Sequence, residues 1–322
     1  MKNKAYIGID LGGTKILTAV ADQNGKIIND VTIPTEVEKG SEAVFKNIHK
    51  SLKEVLSGTD LHRDNIEAIG IGSPGPLDVE QGLILKTANL PFVRFPLVER
   101  IKEKMGIPVY LQNDANTAAL GEKFFGAGKN FNNMIYVTVS TGVGGGIIID
   151  GEIYYGSSGN AGEVGHMVVD PAGPVCGCGN HGCLESFSSG TAIARMGRKA
   201  VKENSSELLN QLAGGDLDQI DAEIVAKAAR KEDRVAIEIY NTVGRYLGLG
   251  LANLTNIFNP KLIVLGGGVM NAKELFKDEM ERSLVKSALA DPRKTMKITQ
   301  AKLGAEIGVK GAIAVALNKV EG

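Results

Sequence analysis

One pattern occurs twice in this chain. Ala5-Tyr-Ile-Gly-Ile9 is an apolar run that ends at Asp10 in a glycine turn, after which Ile16-Leu-Thr-Ala-Val20 is apolar again. From Met134 to Val139 a second apolar run ends in Ser140-Thr-Gly-Val-Gly-Gly-Gly146, and Ile147-Ile-Ile149 follows. Asp10 matches Ser140 and Gly12 matches Gly142, a separation of 130 residues. Short apolar runs bounded by glycine read as buried strands. Such a repeat predicts two related lobes, each with one glycine turn, facing one another across a cleft that suits a nucleotide.

The 322 residues are enough for two such lobes, each with its own core. A formal net charge of −1 provides no basic field for nucleic acid. No run approaches the roughly 18 apolar residues of a membrane span. The N-terminal residues lack the apolar core and cleavage site of a signal peptide, so a cytoplasmic protein is expected.

Between the repeats, Gln23-Asn-Gly25 turns the second strand into a third near Ile27 to Ile33, an antiparallel meander. Helical spacing predicts a helix over Glu42 to Leu56, followed by a strand at Ile66 to Ile71. A strand at Ile107 to Leu111 leads into a helix over Ala115 to Phe125, with Asp114 where an N-cap would stand. The second repeat continues as a hairpin through Asp150-Gly151 to Glu152-Ile-Tyr154. Thr191 to Phe258 reads as helical, broken near Gly214-Gly215. Lys261-Leu-Ile-Val-Leu265 is a strand entering Gly266-Gly-Gly268, and a helix is expected from about Ala272 to Leu289. Strand, glycines and helix N-terminus together would bind an anion. A strand at Met296 to Gln300 and a helix over Val309 to Asn318 complete the chain.

The glycine turns differ in what they can hold. Gly8-Ile-Asp-Leu-Gly-Gly13-Thr-Lys has the outer glycines of a Walker A loop but inverts Thr14 and Lys15, and a strand follows where a helix should. It reads as a phosphate-holding hairpin: glycines admit the backbone to phosphate oxygens, Asp10 holds Mg²⁺ through water, and Thr14 and Lys15 reach the phosphates. An ordinary hairpin turn would not need this set. Gly70-Ile-Gly72-Ser-Pro-Gly75 matches a dinucleotide pattern, but its prolines oppose a helix start, so it reads as a rigid loop, structural or lining a small-molecule site. Asn113-Asp114-Ala-Asn116 is a helix cap or, beyond that, a general base flanked by amides.

The three cysteines all fall in Cys176-Gly-Cys178-Gly-Asn-His-Gly-Cys183, ten residues after Glu163-Val-Gly-His166 and two before Glu185. Three thiolates and one imidazole make a closed structural zinc set; the competing reading is free or redox-active thiols. The spacing leaves His166 and His181 both open as the fourth ligand. Glu163, His166 and Glu185 form a polar group around that loop, suited to sugar hydroxyls.

These motifs together resemble the ROK family (repressors, open reading frames and kinases), and its bacterial glucokinases most. Asp10-Leu-Gly-Gly-Thr-Lys15 and Ser140-Thr-Gly-Val-Gly-Gly-Gly146 are similar to its phosphate motifs. Gly72-Ser-Pro-Gly-Pro76 and Asn113-Asp-Ala-Asn116 are similar to its sugar loops, and Glu163 to Glu185 to its signature. The resemblance implies an α/β, actin-like ATPase fold, a duplicated ribonuclease H-like motif. It places a small lobe at residues 1–113, joined by the C-terminal helix 305–322. The larger lobe spans 114–304, with the zinc loop 166–183 and a helical insertion 190–258. It also implies transfer of phosphate from ATP to the 6-hydroxyl of glucose, with Asp114 as base. Gly75, Asn89, Asn113, Asp114, Glu163, His166 and Glu185 would bind the sugar. Asp10, Gly12, Gly13, Thr14, Lys15, Thr141, Gly142, Gly144, Gly266, Gly267 and Gly268 would hold ATP and Mg²⁺. His166 joins Cys176, Cys178 and Cys183 on a structural Zn²⁺, and His181 becomes a loop residue. A homo-oligomer, dimer or tetramer, is implied as well. N-acetylglucosamine, N-acetylmannosamine, mannose or fructose are alternative substrates. A sugar-responsive transcriptional repressor is the rival class, but with the first strand within ten residues of the start the repressors' N-terminal helix-turn-helix is not expected; a sugar sensor without turnover is a further reading, against which the phosphate motifs and Asp114 argue.

Overall fold

The computed structural model describes residues 4–87 and 89–321, so the N-terminal stretch read for targeting lies partly outside them. Two units separate by their internal contacts. The first comprises Met1–Phe131, Gly146–Ala161 and Ala301–Gly322, the second Asn132–Gly145 and Gly162–Gln300.

In the first unit, β1 (Ala5–Leu11), β2 (Lys15–Asp22) and β3 (Ile27–Pro34) form the antiparallel meander. Helix α1 (Ser41–Ser57) buries Val44, Ile48, Leu52 and Val55, the apolar stripe of its 3.6-residue period. Strand β4 (Ile66–Ser73) then lies parallel to β1. A small sheet of β5 (Leu77–Asp78), β6 (Leu83–Lys86) and β7 (Val93–Phe95) follows, then helix α2 (Leu97–Met105). Strand β8 (Val109–Asn113) runs parallel to β4 and leads into α3 (Asp114–Phe125). The sheet order is β3-β2-β1-β4-β8. Its central strands are apolar nearly throughout because helices cover both faces. Ile7, Ile9, Ile69 and Ile71 meet α1 and α2 on one face. Tyr6, Ala19 and Ala68 meet Val309, Ile313 and Ala316 of the C-terminal helix (Ile307–Glu321) on the other. That helix lies very close: a Cβ at Gly70 would stand 2.0 Å from the carbonyl of Ala312. The C-terminal helix also packs along α3, which is why α3 groups with the first unit and the boundary falls later than residue 113.

The second repeat supplies β9 (Met134–Val139) and β10 (Val143–Ile149), with β11 (Glu152–Ile153) pairing antiparallel to the end of β10. Helices α4 (Glu185–Ser188), α5 (Gly190–Lys202), α6 (Glu207–Leu212), α7 (Ala222–Arg230) and α8 (Arg234–Phe258) fill the helical stretch, broken at Gly214-Gly215 as its composition indicates. Strand β12 (Leu262–Gly266) lies parallel to β9, and β13 (Lys297–Gln300) parallel to β12. The order β11-β10-β9-β12-β13 repeats that of the first sheet strand for strand. The duplicated ribonuclease H-like motif is thus visible in both sheets.

One element differs from expectation. The helix read from Ala272 begins instead as a 3₁₀ segment over Gly268–Leu275 that leaves helical dihedrals at Ala272, and only α9 (Lys277–Ser287) is regular; α10 (Ala290–Thr295) follows. The break lets Val269, Met270 and Phe276 all turn into the core. A long helix dipole therefore does not stand behind Gly266-Gly-Gly268, although its backbone amides do.

Candidate functional site

The first unit gathers its polar residues at one end of the sheet. Asp10 and Gly72 pair across β1 and β4, and Ser73 and Asn113 across β4 and β8. The amide of Gly12 donates to the carbonyl of Lys15 at 3.1 Å, closing the turn and leaving Thr14 and Lys15 exposed. Gly13 faces the loop that carries exposed Asn89: a Cβ there would stand 2.8 Å from the Asn89 carbonyl. A Cβ on Gly75 would lie 3.4 Å from Asn113 Nδ2.

Asp114 was expected at the N-cap, but Asn113 holds that place. As the last residue of β8, Asn113 keeps extended dihedrals, and its side chain accepts from the amide of Ala115 at 2.9 Å. Asp114 is the first helical residue, and its Oδ1 accepts from the same amide at 2.8 Å. Among the described residues no hydrogen bond reaches the other carboxylate oxygen, which is left for a further partner. Water reaches Asp114 at the surface of its unit, yet surrounding protein crowds it and holds its carboxyl above the ordinary value, against the downward pull of Ala115 and Asn113. Asp10 is also raised, first by burial, with Lys15 pulling it down and the charge of Asp114 pushing it up.

In the second unit the glycine turn is held from the other side. Ser140 donates its amide to the Gly142 carbonyl at 2.8 Å, and Gly190 donates to the Ser140 carbonyl at 2.7 Å. Glu185 Oε2 accepts from the amide of Val143 at 2.9 Å, so the first residue of α4 is tied to the phosphate-type turn. Its Oε1 faces Cys176 Sγ at 3.8 Å. Gly144 sits half-buried on β10. Gly165 is required where it stands, because a Cβ would come within 2.0 Å of the Val143 carbonyl.

The ligand atoms of His166, Cys176, Cys178 and Cys183 all lie within 4.8 Å of one another. Cys178 and Cys183 sulfurs are 3.7 Å apart, and Cys176 Sγ is 3.6 Å from His166 Nδ1. A tetrahedral zinc with bonds of about 2.3 Å to sulfur and 2.0–2.1 Å to nitrogen needs edges of about 3.8 and 3.5 Å. The set fits zinc. It is also uneasy without a cation: burial and the neighbouring thiols push Cys183 up to about 12, and burial raises Cys176. Cys178 is lowered by backbone N–H donors. His166 presents Nδ1 to the thiols and Nε2 toward Glu163 Oε2 at 4.0 Å. His181 is exposed and turns its Nδ1 to the Gly173 carbonyl at 3.3 Å, outside the set.

Beside Ser140 and Thr141 the second unit holds a cavity of about 690 Å³, within the range of small-ligand sites. Alanines of α5 and α7 and Tyr240 make its apolar walls, while Arg198, Asp221 and Asn271 supply polar groups. Gly268 lines it. Gly266 and Gly267 instead pack on β9, where Cβ atoms would meet the Tyr136 hydroxyl and the Val139 carbonyl.

Residues 6–319 match the ROK family. The chain belongs to the ROK family. A glucokinase of Thermotoga maritima is 36% identical over 323 residues, covering 100% of both chains. A putative xylose repressor of a Caldicellulosiruptor species is 34% identical over 97% of this chain and 78% of its own length. Among solved structures, a ROK glucokinase from Streptomyces griseus in complex with glucose and AMPPNP superposes with a TM-score of 0.79 at 35% identity, covering 98% of this chain and 99% of that one. The paired sheets of this ROK protein are the halves of the actin-like ATPase fold.

Two supports of the ROK site escape a reading by motif. Thr35, fully buried, donates its hydroxyl to the Gly12 carbonyl at 2.7 Å and its amide to the Thr14 carbonyl at 3.0 Å. Thr191 donates its hydroxyl to the Thr141 carbonyl at 2.8 Å. The meander register, which sets Pro34 opposite Lys15, is the signal that points to Thr35. Thr191 carries no comparable signal. Among the described residues no helix is long and apolar enough to cross a membrane.

Proposed function

We propose that this protein transfers the γ-phosphoryl group of ATP to the 6-hydroxyl of glucose. Asp114 carries the reading: a crowded but wet carboxylate at a strand-to-helix junction, with one oxygen left for a hydroxyl and a raised affinity for the proton it must take. The sugar oxygen attacks the γ-phosphorus in line, its proton passes to Asp114, and the bond to the bridging oxygen breaks to release ADP. Gly75, Asn89 and Asn113 hold sugar hydroxyls in the first unit, and Glu163, His166 through Nε2, and Glu185 do so in the second. Gly12, Gly13, Thr14 and Lys15, with Thr141, Gly142 and Gly144, receive phosphates. The cavity beside Gly268 takes the nucleoside, with Gly266 and Gly267 shaping its edge.

Asp10 would hold Mg²⁺, which neutralises phosphate charge when bound. His166 and the three cysteines would hold Zn²⁺, which fixes the loop bearing the sugar ligands. A cytoplasmic homo-oligomer with no membrane or nucleic-acid partner accompanies this reading. Similarity to xylose repressors supports a second one, sugar binding without turnover. A coupled ADP-release assay across glucose, mannose, fructose and the two N-acetylhexosamines separates the possibilities. Glucose is expected to give the highest kcat/KM. Absence of hexose-dependent ADP release from zinc-loaded protein would refute the kinase.

A further inference from the structure

Gln112 is an amide at the penultimate position of β8 that no motif includes, and it is 97% buried, its relative exposure being 3%. Its Oε1 accepts from the backbone amide of Asn113 at 2.8 Å and from Asn116 Nδ2 at 3.2 Å. Its Nε2 donates to the hydroxyl of Tyr155 at 3.1 Å. The side chain thus spans the kink between β8 and α3 from both sides. Asn113 N–H and Asn116 Nδ2 are its ends, and Asp114 lies between them.

We propose that Gln112 and Tyr155 are a positioning pair that fixes the direction in which Asp114 presents its carboxylate. The orientation of the Gln112 amide is forced. The amide of Asn113 can only donate, so Oε1 must face it, and turning the group over would set two donors together. Nε2 must then face Tyr155, whose oxygen accepts. The phenol proton is left for another acceptor, and Tyr155 and Gln112 both line a cavity of about 660 Å³. The ring is steadied by the Lys319 ammonium, 5.5 Å from its centroid. The Gln112 amide has one available arrangement, so a shift of Tyr155 reaches the backbone that carries Asp114.

This inference rests on Asp114 being the base. The test compares Gln112→Leu, Gln112→Glu and Tyr155→Phe with Asp114→Asn in one ADP-release assay on the zinc-loaded protein. Gln112→Leu keeps the volume and loses every bond, and should lower kcat by about tenfold or more with the KM for ATP unmoved. Gln112→Glu still offers Asn113 an acceptor, ionised or not, and should keep kcat within about threefold on its pH plateau. Tyr155→Phe should lower kcat in wild type and add little in the Gln112→Leu background, because the two act as one unit. A Gln112→Leu kcat within about twofold of wild type overturns the proposal, as does Gln112→Glu impaired as deeply as Gln112→Leu. If Gln112→Leu does not fold, Tyr155→Phe decides, since it removes only a half-buried oxygen; an unchanged kcat overturns the pair. If Asp114→Asn retains wild-type turnover, the base assignment itself has failed, whatever Gln112 does.

Discussion

Gly142→Ala tests the tie between the glycine turn of the second unit and Glu185, proposed above to bind sugar. Gly142 is outside the left-handed region, so alanine suits its backbone. The difficulty is spatial: the new Cβ would stand 2.5 Å from Glu185 Oε2, whereas ordinary contact begins at 3.4 Å. One side must give by the difference, 0.9 Å. The turn is held by the Ser140 to Gly142 bond and by Gly190, so the Glu185 carboxylate is the part that moves. It then loses the Val143 amide at 2.9 Å, a charge-assisted bond worth about 1.5–3 kcal/mol. If Glu185 binds a sugar hydroxyl, a displacement near 1 Å should lower kcat/KM for glucose by about 100-fold. Steady-state kinetics with glucose as varied substrate, beside zinc content and thermal unfolding, measure this. Adding Glu185→Asp should relieve the clash but restore neither the bond nor activity, since the shorter carboxylate no longer spans the gap to Val143. A Gly142→Ala enzyme with kcat/KM within about threefold of wild type and unchanged unfolding would show that the turn and Glu185 are not coupled as described.

The other expectations concern the carboxylates and the zinc set. Asp114→Asn should lower turnover by about 10²- to 10⁴-fold, read as ADP release. The same variant should be more stable than wild type at neutral pH. The folded pKa of Asp114 is raised, so its ionised form costs folding free energy above the unfolded value; that cost, and the variant's advantage, disappear as pH falls below it. For the same reason the acid limb of kcat/KM should lie above the ordinary carboxylate range, which a pH profile will show. Cys178→Ser should lose zinc and weaken glucose binding, and full glucose affinity in demonstrably zinc-free protein would contradict the coupling. Glu122→Gln should destabilise the first unit by about 2–4 kcal/mol in calorimetry. That fully buried carboxylate accepts from the amides of Ala127, Lys302 and Leu303, and an amide there turns a donor toward donors.

Periodicity made most elements legible because burial dictates it. The apolar stripe of α1 and the continuous apolar β1 follow directly from the covers on their faces. Where tertiary packing overrode local pattern, the reading failed. The break at Ala272 serves side chains that must reach the core together, and the cap moved from Asp114 to Asn113 because β8 pairing holds Asn113 extended. The site was legible where chemistry needs a rare residue type, as at the cysteines. It was silent where a common residue acts through a partner distant in sequence: Thr35 and Thr191 through backbone carbonyls, Gln112 through the Tyr155 hydroxyl.

The two repeats also show how one topology comes to hold unlike groups. In the first sheet the turn is clamped by Thr35 from the end of the third strand, which leaves the end of β1 free to present Asp10. In the second the third strand is only the two residues of β11, and the clamp comes instead from Gly190, Thr191 and Glu185. Glu185 already brings a carboxylate to that turn, so the position equivalent to Asp10 is neutral, Ser140. A second carboxylate there would stand beside Glu185 and repel any phosphate the turn receives. Ser140→Asp should therefore weaken ATP binding far more than Ser140→Ala, measured by nucleotide titration of the zinc-loaded protein. Equal affinities in the two variants would remove charge as the reason the repeats diverged.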